Sequence, residues 1–128
     1  MKHLAIAVLF SLFFFTSCSD TPEKLVEDQV SYMEELTEII DDVAEGKLSS
    51  SEGAEKIKKW GKKGNKIQER IKELRKEENA TEEFTKAGEK HKERSKKAMK
   101  AYFAAIKKLQ KSGRMTKELQ EAMLNVKE

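Results

Sequence analysis

Residues 53–74 read Gly53-Ala54-Glu55-Lys56-Ile57-Lys58-Lys59-Trp60-Gly61-Lys62-Lys63-Gly64-Asn65-Lys66-Ile67-Gln68-Glu69-Arg70-Ile71-Lys72-Glu73-Leu74. Within this stretch Gly53, Ile57, Trp60, Gly64, Ile67, Ile71 and Leu74 recur at alternating steps of four and three residues. Such a 3.5-residue period lines up one face of a helix against a partner helix, with knobs packing into holes. The stretch is therefore a helix that needs neighbours, and the flanking sequence supplies them.

Downstream, Phe84, Gly88, His91, Ser95, Ala98, Tyr102, Ala105 and Leu109 keep the same alternation. Upstream, Leu25/Val26, Val30, Tyr32/Met33, Leu36, Ile39/Ile40 and Val43/Ala44 form a wider stripe, one that touches more than one partner. Punctuation falls between these runs. Thr21 before Pro22 is a helix start and Gly46 a stop. Ser49 with Glu52, and Asn79 with Glu82, have capping-box spacing. Gly113 closes the third run, and Thr116 caps a short helix through Leu119, Ala122, Met123 and Val126. The expected fold class is all-α: an antiparallel up-down-up bundle of three long helices with coiled-coil-like packing, plus a short C-terminal helix.

The N-terminus has a different character. Met1-Lys2-His3 is a short basic start, and Leu4 to Phe15 is apolar apart from Ser11. A run of about a dozen residues is too short for a bilayer span, which takes about 20, and fits the core of an export signal. It ends in Phe15-Thr16-Ser17-Cys18, which resembles the lipobox of bacterial lipoproteins, where small residues precede a cysteine that is acylated. The resemblance is confined to the first 18 or so residues. It implies removal of residues 1–17, lipidation of Cys18, a tether over residues 18–21 and one helical domain over residues 22–128. Ser19 after the cysteine further implies sorting to the outer membrane, facing the periplasm. A cut after Ser19, flanked by the small residues Ser17 and Ser19, is the alternative, and it would discard Cys18 and leave a soluble domain. Cys18 is the sole cysteine in the chain, so an exported protein free to use disulfides carries none.

Charged residues make up 38% of the chain, with a net charge of +3. They are unevenly placed. Residues 22–46 hold the acids Glu23, Glu27, Asp28, Glu34, Glu35, Glu38, Asp41, Asp42 and Glu45 against Lys24 alone, whereas residues 47–112 are predominantly basic. An acidic first helix that flanks two basic ones gives each bundle edge opposite charges and favours one pairing and register. The alternative is an outward-facing basic surface for an anionic lipid or other polyanion, through Lys56, Lys59, Lys62, Lys63 and Lys66 with Lys86, Lys90, Lys97 and Lys100. The lysine runs lack interleaved aromatic residues for base stacking, which argues against nucleic acid as a partner.

If the second and third helices pair about the turn at 79–81, Gly64 faces Ser95, Trp60 faces Ala98, Ile67 faces His91 and Ile57 faces Tyr102. Small residues at that level leave a waist, which Met33 fills as a flexible side chain while His91 bonds to a neighbour. A small-ligand carrier with a mid-bundle pocket around Met33, Gly64, His91 and Ser95 is the sharper reading. His91 has no second interior ligand at metal spacing, and no phosphate loop, nucleophile elbow or inward carboxylate pair is present. No catalytic, cofactor-binding or metal-binding residue is assigned, and the chain is not expected to be an enzyme. The expected function is that of a lipid-anchored cell-envelope protein, a structural or protein-interaction module. Its expected partners are the membrane, through the anchor, and an envelope protein or further copies of itself. Polyanion binding is a further alternative.

Overall fold

A computed structural model describes residues 20–125, which form five helices and no strand: α1 (Pro22–Ala44), α2 (Ser50–Leu74), α3 (Ala80–Lys90), α4 (Lys92–Ser112) and α5 (Lys117–Asn125). Cys18 and Val126 lie outside the described residues.

Local chemistry explains most of the boundaries. The Thr21 hydroxyl accepts the Lys24 N–H at 3.2 Å, and Pro22, which has no N–H to satisfy, takes the first turn of α1. At the other end Gly46 adopts φ +80°, and the Lys47 and Leu48 N–H groups close on the Asp42 carbonyl at 2.8 and 3.1 Å. The Ser49 hydroxyl accepts the Glu52 N–H at 3.1 Å and stands 3.0 Å from the Glu52 carboxylate, so the carboxylate meets the serine side chain instead of its backbone N–H. Gly113 closes α4 at φ +72°, and the Thr116 hydroxyl accepts the Leu119 N–H at 3.2 Å to begin α5.

Two expectations are corrected here. Asn79 makes no side-chain cap bond to α3; it stands instead in the left-handed region at φ 65°, the conformation that Asn reaches more readily than most residues, and turns the chain there. The third helix is also not continuous. It is interrupted at His91 (φ −100°, ψ 12°), one turn past Gly88, the weakest helix former in the stretch.

Packing centres on α1, which lies against α2, α3 and α4, while α5 lies against α2. Ile40, Val43, Ile57, Leu109 and Leu119 form the heart of the larger apolar cluster; Leu25, Ile67, Ile71 and Leu74 form a second beyond it. Fully burying a side chain of this size contributes about 1.5–3 kcal/mol. Two glycines allow the close approach of α2 to α1: a Cβ on Gly53 would overlap Val43 Cγ2, and one on Gly64 would overlap the Tyr32 hydroxyl. The α5 helix is docked, with Leu119 fully enclosed and the Ser50 hydroxyl donating to the Arg114 carbonyl at 2.6 Å.

Charge follows the same plan. The acids of α1, and Glu45 just past its end, take bases from both sides, Glu35–Lys63 (2.9 Å) and Asp28–Arg70 (3.1 Å) on α2, then Glu23–Lys90 (2.5 Å), Glu34–Arg94 (2.9 Å) and Glu45–Lys108 (2.5 Å) on α3 and α4. Arg70 also grips Asp20 through two contacts of 2.6 and 3.0 Å, tying the segment ahead of α1 to α2. Among the described residues, every ion pair between helices has its acid on α1.

Candidate functional site: an uncharged groove and an apolar helix face

The expected waist is present as two separate grooves, because α2 and α4 stand apart across it. The space over Gly64 belongs to Tyr32, whose ring stacks on Trp60 with centroids 3.8 Å apart and planes within 5°. The Trp60 indole N–H donates to the Tyr32 carbonyl at 2.6 Å, so the pair is locked by stacking and by a hydrogen bond. Burial pushes the Tyr32 phenol up to about 12, with the charge of Glu35 adding to the shift.

Beside this stack lies a groove of about 350 Å³, bounded by Gln29, Met33 and Leu36 of α1 and Ile57, Gly64 and Gln68 of α2, with Tyr102 and Met123 on its far side. None of its lining residues is charged. Ile57 and Tyr102 thus share one groove, as their expected pairing implied.

The second groove, about 450 Å³, holds the rest of the expected waist: Met33 again, with His91, Ser95 and Ala98, beside Arg75 and Phe84. Gly64 therefore does not face Ser95, nor Trp60 Ala98; each pair is split between the two grooves, because Tyr32 fills the gap that Met33 was expected to fill. His91 is not bonded to a neighbour. Its Nε2 is buried with no partner within hydrogen-bond reach among the described residues, where the nearest carboxylate oxygen, on Glu23, is 3.8 Å away.

Of the lysines considered for a basic surface, Lys63, Lys86 and Lys90 pair with Glu35, Glu82 and Glu23. Lys56 and Lys59 share a cleft with Glu38 and Asp42 of α1. The pairing is felt by the acids. Lys90 holds the Glu23 carboxyl below its ordinary value, and Lys108 followed by Lys47 brings that of Glu45 to about 2. Among the described residues, no group of three or more His, Cys, Asp or Glu side chains is placed to hold a metal ion, and no helix is long and apolar enough to cross a membrane.

The seam-based reading passed over a second apolar stripe. Met99, Phe103 and Leu124 are 50%, 58% and 59% exposed, the large apolar side chains most open to solvent among the described residues. Met99 and Phe103 lie one turn apart on α4, and Phe103 meets the groove-lining Tyr102 edge-on at 5.6 Å; Leu124 follows the groove-lining Met123. The signal was present as i, i+4, i+7 spacing at Met99, Phe103 and Ile106, offset from the Ala98–Tyr102–Ala105–Leu109 seam. No family model, curated protein or solved structure matches the chain.

Proposed function

We propose that the chain is a lipid-anchored protein of the bacterial cell envelope, whose helical domain is a structural or protein-interaction module without catalytic activity. In this reading residues 1–17 are a removed signal peptide and Cys18 carries the lipid. Residues 18–21 are the tether, and residues 22–128 form one domain facing the periplasm from the outer membrane. The three longer runs are read as an antiparallel up-down-up bundle. The order of the ion pairs supports this: partners of α1 descend along α2, from Arg70 to Lys63, and ascend from Lys90 to Lys108 along α3 and α4.

The observation that carries the interaction role is a pair of exposed large apolar side chains one turn apart on α4, Met99 and Phe103, with Leu124 also exposed on α5. Exposed methionine and aromatic side chains are enriched where protein surfaces meet a partner. Polyanion binding has less support, because five of its nine candidate lysines face acids: Lys63, Lys86 and Lys90 are paired with Glu35, Glu82 and Glu23, and Lys56 and Lys59 share a cleft with Glu38 and Asp42.

The test is site-specific photo-cross-linking in native membranes. A cross-linker at Phe103 is expected to give discrete adducts, either with a second copy or with one envelope protein, while one at exposed Lys58 gives none. Equal, diffuse labelling from both positions, or none from Phe103, would remove the interaction reading.

A further inference from the structure

We infer that the groove beside the Tyr32–Trp60 stack binds a single neutral amphiphile, an extended hydrocarbon chain ending in an uncharged, hydrogen-bonding head of the monoacylglycerol type. The inference is independent of how the N-terminus is processed, since every residue it uses lies between Gln29 and Met123.

The chemistry of the lining sets the ligand class. Four other clefts on the protein each include at least one Lys, Arg, Asp or Glu, whereas this one includes none, in a chain that is 38% charged. A charged ligand would lose its hydration here without gaining a counter-ion, and a neutral one avoids that cost. The wall behind the ligand is dry: the Trp60 N–H is already donated to the Tyr32 carbonyl at 2.6 Å, leaving no indole donor that needs a partner. Met33 and Met123 add flexible thioether surface that adapts to a chain. The polar side chains away from this wall are Gln29 on α1, Gln68 on α2 and Tyr102 on α4, whose amides and phenol both donate and accept. They suit hydroxyl and ester oxygens and form no ion pair.

Shape narrows the class further. From Ile57 to Gln68 the groove follows α2 for roughly 16 Å at the helical rise per residue. A ligand that touches every lining residue of α2 over that length is elongated, as a hydrocarbon chain is. A volume above about 300 Å³ is within the range of small-molecule sites.

Trp60 is the sole tryptophan of the chain, so its emission reports the groove alone. The experiment titrates the mature chain from Cys18 onward, carrying Cys18→Ser so that no acyl group of its own competes. The probe is a monoacylglycerol with a bromine-substituted medium-length chain, kept below its aggregation threshold. The expected result is saturable quenching of Trp60 at one ligand per chain, with the matching fatty-acid carboxylate at neutral pH at least tenfold weaker. Gln68 is exposed, so Gln68→Lys keeps the fold; it is expected to strengthen carboxylate binding at least tenfold relative to the unmodified groove. Non-saturable quenching would overturn the inference, as would equal affinity for the carboxylate before the Lys is introduced. A concentration-dependent change in Trp60 emission without ligand, with a doubled mass by light scattering, would show a second copy in the groove and overturn it equally.

Discussion

Substituting Gly64 by alanine separates the packing described above from simple helix propensity. In an exposed helix interior, Gly→Ala stabilises by about 1 kcal/mol. At Gly64 the new Cβ would overlap the Tyr32 hydroxyl and ring, and the ring cannot retreat because it is stacked on Trp60 at 3.8 Å. Overpacking of this kind costs about 1–3 kcal/mol, so the propensity gain leaves a net loss of about 1 kcal/mol. Gly88 is the matched control. A Cβ there meets nothing within 4 Å, so Gly88→Ala is expected to gain up to about 1 kcal/mol, leaving the two variants about 2 kcal/mol apart. Tyr32→Ala removes both the oxygen and the ring atoms that the new Cβ would overlap, so in that background Gly64→Ala is expected to lose its penalty, a coupling energy of about 1–3 kcal/mol. Urea unfolding followed by far-ultraviolet circular dichroism gives all of these values, provided the slope with denaturant is unchanged among variants. Gly64→Ala behaving like Gly88→Ala, or no coupling with Tyr32→Ala, would refute the assignment of the Gly64 space to Tyr32.

Leu119 is fully buried, so Leu119→Ala is expected to cost about 2–5 kcal/mol in the same urea assay; a near-zero effect would mean that α5 is not docked. Glu45 titrates at about 2 in the folded protein against an ordinary 4.5, so its contribution to stability is present above pH 4.5 and lost as pH falls toward 2. Carboxyl NMR titration is expected to show that low value, and Lys108→Met or high salt to raise it, since the pair is solvent-exposed and screened. Tyr32 has the opposite sign: with a folded value of about 12 against 10.0, its contribution holds below pH 10 and is lost as pH rises through 12. Ultraviolet absorbance should resolve one tyrosine ionising near 12, and Glu35→Gln should lower that value.

Helical class, the Thr21, Ser49 and Thr116 starts and the glycine stops at Gly46 and Gly113 were legible because they depend on residues within one turn of each other. The acidic first helix was legible as a partner for two basic ones because charge sign needs no geometry. What was lost depends on how helices sit across from one another. Heptad seams on α2 and on the third run suggested direct pairing, yet α1, with its wider stripe, takes both neighbours, and α2 and α4 stand apart across the groove. The same shift gives the Gly64 space to Tyr32 in place of Met33, and leaves the buried Nε2 of His91 without a partner among the described residues. Periodicity names the residues on a face without naming the helix that covers it. Met99 and Phe103 were overlooked for a related reason: a strict seam hides a second stripe one position away.

The most direct test of the functional proposal is intact-mass spectrometry of the protein from its native membrane, beside a Cys18→Ala version. The expected result is a chain beginning at Cys18 with the added mass of a diacyl- or triacylglyceryl group, absent from the variant. An unmodified chain beginning at Asp20 would contradict the lipid anchor and make the domain a soluble exported protein.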